Sequence, residues 1–539
     1  MADQVLARET FLLKNRQVDV TLSPTRLSWY PLTAGDALHA SDANAVDLSE
    51  VIAVTPVEKR CQRSKDGFSD IELTPISCSR FAVHYVQKKR GRIWRPGKVT
   101  FKCPDPTVCR EWIDRLQERL NQEYLRPRRL LVFVNPFGGK KRGVQIYQQK
   151  VAPLFDLARI KADVIVTERA GHARDLLQEL ELNKLDGIVC VGGDGMFSEI
   201  LNGLITRTQQ EAGVDKDWLA AELVRPHLRI GIIPAGSTDA VSYATVGVND
   251  PVTSALHIII GDCQPLDVSS VHYRSQLLRY NVSFLGYGFY GDVVRDSDLR
   301  RWMGPTRYDY SGFKKFCRRK IYEGEVAFLP CSDQGSSPYD QIRCTEGCLV
   351  CKQAGEKDKP TPFNPSEQPR AVETFGPGGW QRVRGRFIAI NAATNSCACK
   401  KTPKGVSPSA HLADGCTDLI LIHATPRYRF LGHLLKHLTD SDRFNHSFIE
   451  VYRVREFKFR PVIIEETEDD MVEDEEAGVL SRRNYRRNTR RNSVWNCDGE
   501  IIDQPAIDVK VHCQLIKLFA RGIEETKQSS CWPVGCFCA

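Results

Sequence analysis

The 539-residue sequence predicts a chain of three units: a small β-rich domain, an α/β domain and an all-β domain. Three observations carry this reading. Up to about residue 125, short apolar runs separated by polar turns lead into a single amphipathic helix. From Arg126, strands alternate with helices, the pattern of an α/β layer over a largely parallel sheet. After about Asp267 the pattern becomes strand after strand, clearest in Ile507-Asp508-Val509-Lys510-Val511-His512-Cys513-Gln514-Leu515, where apolar residues recur with a strict period of two. That last region is expected to form an antiparallel sandwich. The boundaries read as 1–125, 126–266 and 267–525, with a tail over 526–539.

In the first unit the strand-like runs are Phe11–Val20, Val51–Val54, Ile71–Leu73, Phe81–Val86 and Lys98–Phe101. Pro104-Asp105-Pro106-Thr107 then breaks the pattern and opens a helix on which Cys109, Trp112, Ile113, Leu116 and Leu120 share one face. Several strands closed by one Trp-bearing helix resemble a pleckstrin-homology domain. The resemblance implies membrane targeting. Lys88-Lys89-Arg90-Gly91-Arg92, with Arg95 and Lys98, becomes a loop facing phosphoinositides, and Trp94 lies beside it. Without the resemblance, such a charge run is a solvated hairpin tip.

The α/β unit supplies strands at Leu130–Val134, Val164–Val166, Gly187–Val191 and Leu228–Ile233. The third unit supplies Tyr280–Leu285, Glu325–Leu329, Phe387–Ile390 and Leu419–Ile422 before the final strand. Two inserts interrupt it. Residues 352–380 are rich in Lys, Glu, Pro and Gly, and residues 465–494 set an acidic block against a basic one. Neither composition buries enough apolar surface to order itself, so both are expected to be disordered. Arg490-Arg491-Asn492-Ser493 in the second fits a basophilic kinase site.

Composition bounds the rest. A net charge of +8 is modest for this length and suits an anionic surface better than dedicated nucleic-acid binding. The N-terminus has no apolar core of signal-peptide length, and no run approaches the roughly 18 apolar residues of a spanning helix. The expectation is a cytoplasmic protein held peripherally at a membrane, plasma membrane or Golgi. Its 19 cysteines then read as reduced thiols or metal ligands.

The chemistry concentrates where strands end in glycine. Ile188-Val189-Cys190-Val191 runs into Gly192-Gly193-Asp194-Gly195 and then into a helical pattern. Strand, glycine turn and helix start together make an anion site, since free amide N–H groups and the helix dipole point at one spot. Phosphate repels a carboxylate there unless the carboxylate holds Mg²⁺ or takes a proton from a nucleophile. Leu130–Val134 runs into Asn135-Pro136-Phe137-Gly138-Gly139-Lys140, which is not a Walker A loop: the spacing is wrong and no Ser or Thr follows the lysine. Leu228–Ile233 runs into Pro234-Ala235-Gly236-Ser237-Thr238-Asp239. Three such edges in one α/β sheet share a ligand crevice. A fourth motif, Trp495-Asn496-Cys497-Asp498-Gly499-Glu500, lies far along the chain.

In this order Asn-Pro-Phe-Gly-Gly, Gly-Gly-Asp-Gly and the late Asp-Gly-Glu resemble the diacylglycerol-kinase-like lipid kinases over about residues 128–525. The family includes sphingosine and ceramide kinases, and the likeness is greatest to its ceramide-phosphorylating branch. It implies transfer of the γ-phosphate of ATP, with Mg²⁺ and with Ca²⁺ as a candidate stimulant, to the primary hydroxyl of ceramide. Asp194 becomes the general base, and Gly192, Gly193 and Gly195 border the lipid head. Asn135, Pro136, Phe137, Gly138 and Gly139 hold the nucleotide, helped by Thr167, Glu168, Arg169, Glu199, Gly236, Ser237 and Thr238. Arg301 and Arg307 match phosphate-contacting arginines, and Asp498, Gly499 and Glu500 close over the nucleotide. Asp292, in Gly286-Tyr287-Gly288-Phe289-Tyr290-Gly291-Asp292, is a head-group partner. Sphingosine kinases carry a further acid two positions on, where Val294 stands here; a cationic amine favours a carboxylate and a neutral amide does not need one. Asp296 could still substitute. The rivals are a sphingosine or diacylglycerol kinase, a silent lipid-binding adaptor, and an NAD kinase with a similar Gly-Gly-Asp-Gly turn.

Three weaker signals remain. Cys344, Cys348 and Cys351 have a spacing that could hold structural Zn²⁺ or simply be free thiols. Residues 427–437 are basic and amphipathic, a pattern shared by calmodulin targets, membrane helices and ordinary packed helices. Cys536 stands fourth from the end as in a prenylation box, but without aliphatic neighbours.

Overall fold

The computed structural model describes residues 4–32, 44–57, 79–304, 306–331, 337–356, 373–375, 379–400, 402–436, 443–462 and 492–525. The Ile71–Leu73 run, the Cys536 motif, the 526–539 tail and most of both inserts lie outside them.

The first domain is a seven-stranded antiparallel sheet closed by the Pro106–Gln122 helix. Asp105 caps that helix by accepting from Thr107 N (2.7 Å) and Val108 N (3.1 Å), with Pro106 in the first turn, as a helix start requires. Cys109, Trp112 and Leu116 are buried on the expected face, and Trp112 meets Phe11 edge-on at 5.1 Å. Phe11–Val20 is not one strand but a hairpin, Ala7–Leu13 with Arg16–Leu22. Its turn uses Lys14 and Asn15 at φ 51° and 66°, a conformation Asn tolerates, but without a glycine beside it the turn signal is weak.

The basic hairpin corrects the expectation placed on it. Trp94 does not reach towards a membrane: it is fully buried and stacks on His257 of the α/β domain at 3.8 Å. Its Nε1 donates to Glu524 (2.8 Å) and its backbone N to Thr253 Oγ1 (3.0 Å). Arg95 grips Asp250 with both terminal nitrogens (2.6 and 3.1 Å), and Lys88 bridges Glu50 and Glu524 at 2.9 Å each. One edge of this hairpin is therefore an interdomain clamp, while Lys89 and Arg90 remain exposed.

In the α/β domain four parallel strands lie in the order Arg229–Pro234, Gly187–Gly192, Arg129–Val134, Lys161–Val166. Gly187 is level with both Leu130 and Arg229. Their C-terminal ends therefore come level, as a shared crevice needs. The sheet does not stop there. Leu518 pairs with Ile230, and the Ile507–Leu518 strand carries the hydrogen-bonded network into the β-rich domain through Gln264–Tyr273 and Ile449–Pro461.

The β-rich domain is antiparallel as expected, and its strands form one continuous hydrogen-bonded network. The long strands Trp380–Ala393 and Ile449–Pro461 each pair with Tyr322–Pro330 along one half and with Thr417–His423 along the other. Four strands thus close on themselves around Tyr287, Phe387, Phe457, Phe459 and Trp495. The first insert holds regular structure at its ends, the Leu349–Glu356 helix and the Glu373–Phe375 strand. The cysteines are not all free thiols, since Cys331 and Cys416 form a disulfide. Among the described residues no helix is long and apolar enough to cross a membrane.

Candidate active site

The three glycine edges meet. Asn135 N donates to Val191 O (3.0 Å) and Ala235 N to Gly192 O (3.0 Å), so the strands stay paired to the start of each loop. Asn135 Oδ1 then accepts from Phe137 N (2.8 Å) and Gly138 N (3.0 Å), an Asx-type turn that its short side-chain carbonyl closes. Gly139, at φ +55°, lies so close to Ala235 and Gly236 that a Cβ would sit 2.6 Å from Ala235 O. Gly236 likewise faces Gly193, 2.5 Å from its Cα to an added Cβ. Gly195 is different: nothing lies within 4 Å of an added Cβ and its φ is not positive. The fold itself does not demand glycine there.

Asp194 opens the Asp194–Glu211 helix. Its carboxylate leaves its own helix to accept from Ala240 N and Val241 N, each at 3.1 Å, at the start of the next one. Burial raises its proton affinity, and these two N–H groups oppose that rise. Two further acids stand near it. Asp239, buried at φ 52°, accepts from Gly236 N (2.9 Å); burial, then the charge of Asp194, push it up to about 7. Asp498 accepts from Val282, Ser283 and Phe284 N–H groups at 2.8–3.1 Å. Burial pushes it to about 6, with Asp194 adding repulsion. The late Asp-Gly-Glu turn therefore joins the glycine loops across the domain junction.

Glu500 of that turn pairs with Arg279, and its charge reaches Glu199, whose carboxyl burial already pushes up. Thr167 N donates to Val134 O (2.9 Å) beside the first loop. Ser237 and Thr238 are exposed on the third. Glu168 donates its backbone N to His172 Nδ1 (3.1 Å), and the Arg169 side chain turns to Asp175 (2.7 Å).

Other expected residues are not brought to this cluster by any bond the structure shows. Arg301 and Arg307 gather on Asp298 at 3.4 and 4.0 Å, after the Phe289–Asp298 helix. Asp292 is buried and engaged by the Tyr322 hydroxyl (2.5 Å), the Ser493 hydroxyl (3.0 Å) and Arg295 (3.1 Å). It edges a cavity of about 130 Å³ that Lys315, Arg318, Arg319 and Lys320 make basic. Ser493, expected as a kinase site, is buried by the same bonds and also donates to Gly288 O.

Sequence reasoning missed Asp239 and Arg279. Asp239 stood in the third glycine run, but only the fold shows that its loop turns back against Gly193. Arg279 sits on an ordinary strand and carries no local signal.

Level strand ends, converging glycine loops and a carboxylate base candidate define a phosphotransferase of the lipid-kinase type. The family models agree: a ceramide kinase PH domain matches residues 7–116, a diacylglycerol kinase catalytic domain 129–271 and a ceramide kinase C-terminal domain 284–539. The chain is 47% identical over 522 residues to human (Homo sapiens) ceramide kinase, covering 95% of this chain and 96% of that protein. It is 46% identical to the mouse (Mus musculus) ceramide kinase, covering 95% and 97%, and 32% identical to that of Oryza sativa subsp. japonica, covering 90% and 91%. The chain belongs to the ceramide kinase family.

Proposed function

We propose that this enzyme transfers the γ-phosphate of ATP to the primary hydroxyl of ceramide, giving ceramide 1-phosphate. The observation that carries the reaction is Asp194, held by two backbone N–H groups where three phosphate-cradling loops meet. A primary alcohol is a poor nucleophile, and a carboxylate of raised proton affinity takes its proton as the oxygen attacks. Amides of the Asn135–Gly139, Gly192–Gly195 and Gly236–Thr238 loops bind the phosphates and orient them for in-line transfer. Asp239 and Asp498 each carry repulsion from Asp194, which a divalent cation arriving with the nucleotide would relieve. Asp239 and Asp498 are the residues that would face a nucleotide-borne Mg²⁺, which would supply charge neutralisation at the phosphates and leave Asp194 as the base.

The choice of ceramide over sphingosine rests on missing negative charge. Val294 is buried and apolar. Asp296, the one substitute acid, is taken by Arg300 (2.6 Å), Lys314 (2.9 Å) and Ser311 (2.9 Å). Asp292 is saturated, and the cavity beside it is lined by cations. Nothing there favours an ammonium ion, whereas a neutral amide needs no counter-charge.

Lipid access follows from the helices Phe289–Asp298, Thr306–Arg318 and Arg427–Lys436, which pack around Phe430 through Phe289 (5.2 Å) and Phe316 (6.2 Å). Beyond that contact Leu299, Trp302, Phe313, Tyr428 and Leu435 stand exposed beside Arg301, Arg318 and Arg429. Apolar tips amid cations suit an anionic bilayer surface, and we assign the membrane contact of the β-rich domain to this face. It supplements the pleckstrin-homology domain, where Lys89 and Arg90 stay free for anionic headgroups.

Purified enzyme offered labelled ATP with ceramide, sphingosine or diacylglycerol tests the reading. Ceramide should be labelled, and Asp194→Asn should lower kcat by about 10²–10⁴. Full activity of the variant would remove Asp194 as base; phosphate on sphingosine alone would remove the substrate.

A further inference from the structure

We propose that Cys344, Cys348, Cys351 and His411 form a structural zinc site that clips the domain junction together. One ligand atom from each lies within 4.8 Å of all the others. Cys344 Sγ and Cys351 Sγ are 3.6 Å apart, and Cys348 Sγ is 3.3 Å from His411 Nδ1. Zinc binds thiolates at about 2.3 Å and imidazole at about 2.0–2.1 Å in a tetrahedron, whose ligand-to-ligand edges are then roughly 3.5–3.8 Å. A disulfide needs about 2.05 Å between sulfurs, which the 3.6 Å separation is not.

The local fold explains the spacing. Cys348 N donates to Thr345 O (3.2 Å), and Gly347 takes φ +71°, so a tight turn returns Cys348 towards Cys344. The Leu349–Glu356 helix then brings Cys351 round on its first turn. His411 arrives from 60 residues further on, in the connection between the Trp380–Ala393 and Thr417–His423 strands, so no local motif could include it. Its Nε2 is buried with no hydrogen-bond partner among the described residues, and the ring is held through Nδ1 on the cysteine side. Cys344, Cys351 and His411 are buried, and the cysteines join the main apolar cluster of the α/β domain.

The site sits where four chain segments converge. Gln514 Nε2 donates to Cys351 O (2.9 Å) and Ala413 O (3.2 Å). Asp267, at the entry to the β-rich domain, donates its N to Leu412 O and accepts from Gly415 N and Gln514 N. Glu346 N donates to Ile523 O (2.9 Å), one residue before the Glu524 that anchors Trp94. A metal here fixes the 344–351 excursion to the linker, the last strand and the segment on which the first domain rests.

The test uses the full-length protein purified without chelator. Elemental analysis should find about one zinc per chain, and Co²⁺ exchange should give the visible bands of a tetrahedral thiolate-rich site. Cys348→Ser should lose most of the metal. His411→Cys should keep a full ligand set, retain the metal and shift the cobalt spectrum, which decides the matter even where Cys348→Ser fails to fold. Zinc-free wild-type protein whose three thiols react freely under native conditions overturns the proposal. So does a Cys344–Cys351 disulfide found by mass spectrometry, or a cobalt spectrum that His411→Cys leaves unchanged.

Discussion

Asp239→Asn separates the demands of the site from those of the fold. In the folded protein burial, with Asp194 beside it, lifts the Asp239 carboxyl from 3.8 to about 7. Below about pH 4 the group is protonated both folded and unfolded, and it costs nothing. Between about 4 and 7 the unfolded chain releases its proton more readily, so stability falls as pH rises; above about 7 the full cost is present. At 1.36 kcal/mol per pH unit that cost is on the order of 4 kcal/mol, an upper bound because water and counter-ions relax around the charge. Asn keeps an acceptor for Gly236 N and tolerates the left-handed φ of 52°. Without nucleotide or Mg²⁺, the variant should therefore gain about 1–3 kcal/mol at pH 8 and roughly four-tenths of that at pH 5. Unfolding by urea at the two pH values, followed by tryptophan fluorescence, reads the difference. A gain of the same size at both pH values, or none at pH 8, would refute the reasoning, because the cost would then not come from ionisation. The same variant should lose activity, since the charge that destabilises the empty site serves the nucleotide-bound one.

Gly195→Ala should leave the unfolding midpoint unchanged or slightly higher, because a Cβ there meets nothing, yet activity should drop sharply as the methyl occupies the ligand's approach. Equal activity would place the substrate elsewhere. Trp94→Ala removes a fully buried indole and its bond to Glu524, and should cost about 3–5 kcal/mol; limited proteolysis should then release the first domain. Retention of one cooperative transition with an unchanged midpoint would show that the clamp does not hold the domains. Paired Trp302→Ser and Phe313→Ser should reduce binding to anionic vesicles several-fold while leaving melting unaffected, since both side chains are exposed. Undiminished sedimentation with vesicles would remove that face as the membrane contact.

What was readable in the sequence is what short segments encode. Period-two alternation located the Ile507–Leu518 strand, Asp105-Pro106 marked a helix start, and glycines at strand ends marked the crevice. What was not readable depends on residues that meet only after the chain has folded. Lys14-Asn15 turns a hairpin without glycine, and nothing in the basic run beside Trp94 reveals its partner His257. The shared strands Trp380–Ala393 and Ile449–Pro461 look like ordinary strands, since each half alone has an ordinary partner. His411 and Arg279 acquire their meaning from segments 60 and 221 residues away.

The three acids around the phosphate loops fit one physical requirement. A base must remain ionised to accept a proton, yet it must not bind that proton too weakly. Asp194 meets this by combining a buried position, which raises its proton affinity, with two backbone N–H groups, which limit the rise. Asp239 accepts from one backbone N–H and Asp498 from three, and neither has a cationic side chain bonded to it among the described residues. Each carries repulsion from Asp194 that a bound cation relieves. An arginine in their place would neutralise Asp194 permanently and depress its basicity. Ionisation of all three acids is thus favoured once a cation arrives with the nucleotide. The instability expected of the empty site at pH 8 and its catalytic readiness therefore have the same electrostatic origin.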